Sequence, residues 1–372
     1  MKGHHTSRAG WAVAAALAVT ACVPSRDDAA ECSAPASNGA VLRDARIVVE
    51  GGGRVDWSAS RGLAYDRRGE DGCYDVWTAR PDGAAQACLT CSMVVFPGHN
   101  VGQPAWSPDG RFLVVQVESG GHTRNHCSTA THPGAGVWND LWVIHMDTQE
   151  ATLLLDVTTL GARGSLHPHF SSDGAQLSFS LMFEGAHVVD SARTVGVWKL
   201  AVGTLTASGN TLQLDGIRQF QPGADVFYEN HGFSPDGQRL IFTSNLTGDE
   251  AVTSSDIHTL LVATGVVDQH LTTTFYNEHA HYAPDGTRIM WMSNRCNPWG
   301  GTDYWLMAPD GTLLRRVTRF NDPDSHQHQH IKTLGADFAW SPDGRQAVVH
   351  TNQGSLAPLG PSKEALWLLT LE

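Results

Sequence analysis

One five-residue phrase recurs along the chain and limits what the chain can fold into. It reads Trp106-Ser-Pro-Asp-Gly110, Phe170-Ser-Ser-Asp-Gly174, Phe233-Ser-Pro-Asp-Gly237, Tyr282-Ala-Pro-Asp-Gly286 and Trp340-Ser-Pro-Asp-Gly344, with Trp57-Ser58 opening a degenerate sixth copy. From Ser58 to Ser341 the mean spacing is about 57 residues, a period that belongs to solenoids and propellers. The Pro-Asp-Gly core spells a tight turn: Pro presets φ, Asp bonds the local backbone and Gly takes positive φ. An apolar run follows each turn, as in Phe112-Leu-Val-Val115, Leu240-Ile-Phe242 and Ile289-Met-Trp291, and a third run such as Asp140–Ile144 or Asp303–Met307 comes next. Four short strands per repeat, arranged radially, make a β-propeller.

The expected fold is therefore all-β: a six-bladed propeller of four-stranded antiparallel blades over residues 41–372. Hydrophobic residues at 41 % and charged ones at 17 % supply a large core and exclude disorder for the bulk of the chain. The last repeat runs out after its third strand, and Asp44–Glu50 reads as a strand with no repeat of its own. That N-terminal strand is expected to fill the fourth place of the last blade, closing the ring and removing a free edge. The third-strand Trp residues Trp77, Trp142, Trp198, Trp305 and Trp367 read as blade-packing residues.

The W/F-S-P-D-G phrase resembles the TolB-type, WD40-like repeat propellers, over about residues 41–372. That resemblance implies the fold and an envelope setting. The separate N-terminal domain of TolB has no room here, so the resemblance implies a TolB-like propeller rather than the Tol-system component itself.

The N-terminus reads as an address. Lys2 and Arg8 precede a short apolar stretch, Gly10–Ala21, that ends in Val19-Thr20-Ala21-Cys22. This resembles a bacterial lipobox, so residues 1–21 are expected to be a lipoprotein signal peptide and Cys22 the lipidation site. Residues 22–40 read as a flexible tether to the envelope membrane, with the outer membrane, facing periplasm or cell surface, favoured. No apolar run is long enough for a membrane-spanning helix. An exported chain meets oxidising conditions, so Cys32, Cys73, Cys88, Cys91, Cys127 and Cys296 are disulfide candidates. Their pairing is not fixed by spacing, although Cys73 is the favoured neighbour for the Cys88-x-x-Cys91 pair. The net charge of −13, with 38 acidic and 25 basic residues, argues against a nucleic-acid partner. A monomer is expected.

The long connections lie on one face of the disc, called here the top, and 13 of the 17 His residues beyond the signal region fall on it or at the head of the innermost strands. Aligned on the aromatic residue of the phrase, the position three before it holds Gln103, His167, Asn230, His279 and Asp337 in successive blades. The position one before holds His169 and His281 in two of them. Alternate residues of a strand share a face, so one of these columns lines the central channel. His231 and the loop residues His326, His328 and His330 sit at the same end. The functional reading is a metal or ligand site made from His167, His169, His231, His279, His281, His326, His328, His330 and Asp337, with Gln103 and Asn230 lining the channel. Neutral imidazole suits one divalent ion such as Mn, Zn, Fe or Ni. The bland alternative is a wet channel whose His residues bond water and carbonyls.

The segments His167-Pro-His169 and His279-Ala-His281 also resemble oligogalacturonate lyase, a propeller with a His-built metal site. That resemblance implies a divalent-metal-dependent polysaccharide lyase or hydrolase. It departs in blade number, seven there against six counted here, and in the spacing of the His326–His330 run. A β-elimination further needs a base and a cation; Arg163 and Arg218 are the candidate cations. No G-x-S-x-G elbow, P-loop or dinucleotide fingerprint is present. Trp299, in a Gly-rich loop, is a candidate for stacking on a sugar or peptide. The leading expectation is non-enzymatic: a rigid disc whose His-rich face binds an envelope protein, a glycan or a metal.

Overall fold

A computed structural model describes Cys32 and residues 41–372, apart from 97–98, 122–125, 129, 187–189, 191–192, 298–299 and 355–362. The expected signal peptide, Cys22, nearly all of the tether, His122, His187 and Trp299 lie outside the described residues. Six four-stranded antiparallel sheets follow one another. Blade 1 comprises β2 (Gly52–Ser58), β3 (Gly62–Arg68), β4 (Tyr74–Ala79) and β5 (Ala87–Cys88). Blade 2 comprises β6 (Val101–Trp106), β7 (Phe112–Glu118), β8 (Asn139–His145) and β9 (Glu150–Leu155). Blade 3 is β10 (Gly164–Phe170), β11 (Gln176–Glu184), β12 (Val197–Ser208) and β13 (Thr211–Phe220). Blade 4 is β14 (Tyr228–Phe233), β15 (Arg239–Ser244), β16 (Asp256–Leu261) and β17 (Val267–His270). Blade 5 is β18 (Asn277–Tyr282), β19 (Ile289–Ser293), β20 (Asp303–Met307) and β21 (Arg315–Arg316). Blade 6 is β22 (Thr333–Trp340), β23 (Gln346–Gln353) and β24 (Lys363–Leu371), completed by the N-terminal β1 (Leu42–Glu50).

The ring closes as the sequence implies. Strand β1 pairs antiparallel with β24, setting Ile47 against Trp367 and Glu50 against Ala365, and Val49 is fully buried. Arg218, a candidate cation in the sequence, lies in β13 on the outer edge of blade 3 with its guanidinium over Phe220.

The repeated phrase is a self-contained hydrogen-bonded turn. Ser107 Oγ donates to Asp109 Oδ1 at 2.7 Å, the amide of Phe112 donates to Ser107 Oγ at 2.9 Å, and the amide of Arg111 donates to Asp109 Oδ1 at 3.0 Å. The same bonds recur at Ser171 and at Ser341. The glycine that ends each phrase has φ near +70°, from 68° at Gly344 to 72° at Gly174, a conformation that costs other residues a Cβ clash. Strands next to these turns are buried on both faces: every residue of β7, β19 and β20 is buried. The apolar cores lie between neighbouring blades, as where β18–β20 and Phe320 of blade 5 meet β22–β24 of blade 6.

Each innermost strand carries a register break at one equivalent place. The breaks fall between Gly52 and Val55, Gly102 and Ala105, Leu166 and His169, Asn230 and Phe233, Glu278 and His281, and Gly335 and Phe338. These are β-bulges, which re-aim side chains and tighten twist. Gln103, His167 and His279 occupy the left-handed region there, with φ of 49°, 53° and 49°. Side chains of second strands hold the bulged amides: Asp66 accepts from Gln103, Gln116 from His167 and Ser180 from Asn230.

Three disulfides are present, and none joins Cys73 to the C-x-x-C pair. Cys73 bonds Cys127 between the second-to-third-strand connections of blades 1 and 2, Cys32 bonds Cys296, and Cys88 bonds Cys91. Cys73 meets Cys127 because the two connections of adjacent blades lie side by side, while Cys88 and Cys91 pair with each other.

Candidate metal centre

The position three before the aromatic residue falls within the bulge in five blades and at its edge in blade 4. The full ring is Arg54, Gln103, His167, Asn230, His279 and Asp337. Asp337 sits between the two imidazoles, with Oδ1 at 3.2 Å from His167 Nδ1 and 3.1 Å from His279 Nδ1. His167 Nε2 lies 3.0 Å from Glu229 Oε1, and His279 Nε2 lies 3.3 Å from Glu278 Oε2. Gln103 Nε2 approaches His167 Nδ1 at 3.3 Å. All of these groups are buried, His167 to 1 % residual exposure. One nitrogen each from His167, His231 and His279 lies within 4.8 Å of the others, and Glu229, Glu278 and His279 form a second such set.

The charge state follows from the packing. Burial opposes a proton on His167 and His279, but Asp337 and Glu229 outweigh it and hold both pKa values above the usual imidazole value. Burial works against the Asp337 carboxylate too, and the two imidazolium rings beside it overcome that, leaving its pKa well below normal. Burial raises Glu229, with Glu278 adding repulsion, while Glu278 is held down against burial by His279, Tyr276 and a hydrogen bond from Glu229.

His231 is the odd member. Burial and its charged His neighbours drive its pKa well below normal, so it is neutral. Its Nε2 bonds Thr243 Oγ1 at 2.7 Å, and its buried Nδ1 has no hydrogen-bond partner. In the tautomer whose Nε2–H donates to Thr243, Nδ1 keeps a bare lone pair. Glu229 Oε2 is likewise buried and without a hydrogen-bond partner, its nearest imidazole nitrogen being His231 Nε2 at 3.5 Å. Three imidazoles and three carboxylates, with unpartnered atoms on His231, His279 and Glu229, fit a divalent transition ion, whose ligands are neutral His and carboxylate.

His169 and His281 form a second tier one step nearer the short-turn face. Their ring centroids are 5.0 Å apart, and burial keeps His169 neutral with a pKa of about 3 and His281 well below normal. A cavity of about 350 Å³ opens beside them, lined by Gln103, His169, His281 and Asp337 and rimmed by aromatic residues including Trp57, Trp106 and Trp340. Its size suits a small ligand.

The structure thus brings together His167, His169, His231, His279, His281, Asp337 and Gln103. Asn230 lies with them as a brace, donating from Nδ2 to the His167 carbonyl at 2.8 Å and to Ser178 at 3.0 Å. His326, His328 and His330 stay in the loop before β22. His326 and His330 are exposed, and among the described residues none of the three bonds or stacks with the channel group. Column reading missed Glu229 and Glu278, each four residues before the aromatic residue of its phrase. Strict alternation puts Glu278 on the opposite face from His279, and the bulge that follows Glu278 abolishes that alternation, whereas Glu229 is regularly paired and precedes the break in its strand.

Arg54, the sixth ring member, is locked. Its Nε and Nη2 each lie 2.7 Å from the Asp66 carboxylate, with side-chain exposures of 6 % and 0 %. Burial lowers the Arg54 pKa and Asp66 more than restores it, so the guanidinium remains charged and spoken for.

No family model and no curated protein matches this chain. Solved structures match at the level of fold. Oligogalacturonate lyase of Vibrio parahaemolyticus aligns with a TM-score of 0.50 and 11 % identity, covering 89 % of this chain and 95 % of that one. A protein assigned as TolB from Agrobacterium tumefaciens aligns at 0.47 and 17 % identity over 77 % of this chain and 86 % of that one. The tricorn protease aligns at 0.49 and 14 % identity, and the chain spans a quarter of its length. The likeness to the lyase structure, at this identity, supports the propeller fold alone and leaves function to the site itself.

Proposed function

We propose that this chain is an envelope propeller that holds one divalent transition-metal ion in its channel through His167, His231 and His279, with Glu229, Glu278 and Asp337 around it. The observation that carries this reading is the convergence of three imidazoles from three successive blades on one another, with His231 Nδ1 left bare. Three protein nitrogens leave a coordination position for an exogenous ligand. When bound, the ion supplies a Lewis-acidic anchor for a carboxylate, so the ligand class is an acidic glycan or the acidic side chain of a partner protein. The lipobox-like Cys22 and the three disulfides support export and membrane tethering.

Lyase activity on an acidic polysaccharide is the second reading. It is favoured by the Glu229–Glu278 pair, two carboxyl groups whose proton affinities are pushed apart, as a base and its conjugate require. Arg54 is no candidate for the cation because Asp66 already neutralises it, and Arg218 lies on a blade edge.

Elemental analysis of the purified chain after dialysis without chelator tests the first reading. About one Mn, Zn, Fe or Ni per chain, lost in His279→Ala, is expected; no metal, and none taken up when offered, overturns it. The loaded protein is then offered oligogalacturonates. Growth of ultraviolet absorbance from an unsaturated product establishes the lyase, and tight binding without turnover establishes the binding protein.

A further inference from the structure

The three disulfides are not equivalent. Cys73–Cys127 and Cys32–Cys296 close loops with sequence separations of 54 and 264 residues, whereas Cys88–Cys91 spans a separation of 3. A cross-link stabilises a fold chiefly by removing unfolded-state entropy, which grows with loop length, so a C-x-x-C bond contributes least. Cys88 and Cys91 also lie at the outer edge of blade 1, with Cys91 exposed and Cys88 half-buried. The amide of Cys91 donates to Cys88 Sγ at 3.1 Å. That N–H lies where negative charge would appear on Cys88 if the bond were broken, and hydrogen bonding to a thiolate makes it a better leaving group.

We infer that Cys88–Cys91 is an exchangeable disulfide that accepts two electrons from a dithiol, while the other two bonds are structural. A dithiol thiolate attacks the exposed Cys91 Sγ, forming a mixed disulfide. The Cys88–Cys91 bond breaks, and its electron pair leaves on Cys88 Sγ, which then takes a proton. The second thiolate of the dithiol attacks its own sulfur in the mixed disulfide and expels Cys91, which is protonated in turn. The dithiol ends as a disulfide and the pair ends as two thiols. The polarity is fixed by the structure: the attacked sulfur is the accessible one and the leaving sulfur is the one with the N–H.

Reduction also uncovers a second chemistry. Asp75 offers a carboxylate oxygen within 4.8 Å of both sulfurs, so the reduced pair presents two thiol donors and a carboxylate to a thiophilic ion such as Zn, and the disulfide form does not.

A redox titration of the folded, fully oxidised protein in dithiothreitol buffers, quenched by alkylation and read by peptide mass spectrometry, tests the inference. Chain entropy predicts that Cys88–Cys91 opens at a dithiol-to-disulfide ratio roughly 50-fold lower than Cys73–Cys127. Its reduction should leave the near-ultraviolet circular dichroism unchanged. In Cys88→Ser the free Cys91 thiolate should attack glutathione disulfide, form a stable mixed disulfide and release one glutathione. Cys91→Ser should react far more slowly at Cys88. Opening of all three bonds together, opening of Cys88–Cys91 last, or faster trapping at Cys88 than at Cys91 would overturn it.

Discussion

Asp256 gives the sharpest test of the electrostatics in this fold. It begins β16, and its Oδ1 accepts from Thr272 Oγ1 at 2.9 Å and from Asn277 Nδ2 at 3.0 Å. Burial pushes its pKa from 3.8 to about 7, those two hydrogen bonds oppose the rise, and Glu250 adds to it. Because the folded-state pKa is raised, the native state holds its proton more tightly than the unfolded chain does. The stabilising contribution is complete below about pH 4 and is lost as the pH climbs through 7. A rise of about three units corresponds to about 4 kcal/mol at 1.36 kcal/mol per unit. Asp256 is half-buried, and solvent screening reduces this to about 2 kcal/mol. Asp256→Asn keeps an oxygen acceptor for Thr272 and Asn277 and removes the charge. It should therefore stabilise the protein by about 2 kcal/mol at pH 8.5 and change little at pH 4.5, read as the difference between thermal unfolding midpoints of variant and parent at the two values. A variant that gains nothing at pH 8.5, or gains equally at both, refutes the assignment of a buried, uncompensated carboxyl.

Two further outcomes follow from the channel. Asp66→Ala leaves a buried guanidinium and the Gln103 amide unpartnered and should cost about 4 kcal/mol; Arg54→Met in the same background should recover part of that loss in denaturant unfolding, and strict additivity would show that the pair is not coupled. Because Asp337 and Glu229 raise the proton affinity of His167 and His279, a divalent ion bound by these imidazoles should release protons, so binding enthalpies should differ between buffers of different ionisation heat, and no buffer dependence would contradict the raised proton affinity.

Much of this was legible because the fold repeats. The phrase fixes a common register, so aligning blades on one aromatic residue places Gln103, His167, His279 and Asp337 on one level before any coordinate is known. Strand β1 was legible as the partner missing from the last blade. What alignment could not deliver depends on departures from regularity. The bulges at His167 and His279 break the alternation that column reading assumes, for Glu278 among others, and their presence is written in backbone φ rather than in residue type. Arg54 follows the same column in the degenerate first copy, but its pairing to Asp66 comes from the second strand. The His326–His330 run has no repeat to fix its position, so its composition carried no geometry. Disulfide partners depend on which connections meet across blades, which is why Cys127 rather than a nearer cysteine found Cys73.

The two-ended construction of blade 6 bears on the order in which the channel is made. Asp337 is the only ring member contributed by that blade, and β1 must return from the far end of the chain to complete it. Until the circle shuts, His167 and His279 face each other without the carboxylate that sits between them in the finished ring, and like charges in a dry channel repel. A chain that has lost its N-terminal strand, or has not yet finished threading, is thus poorly equipped to hold either the protons or a metal. On the proposed reading, metal uptake by the channel would report a circle that has shut correctly.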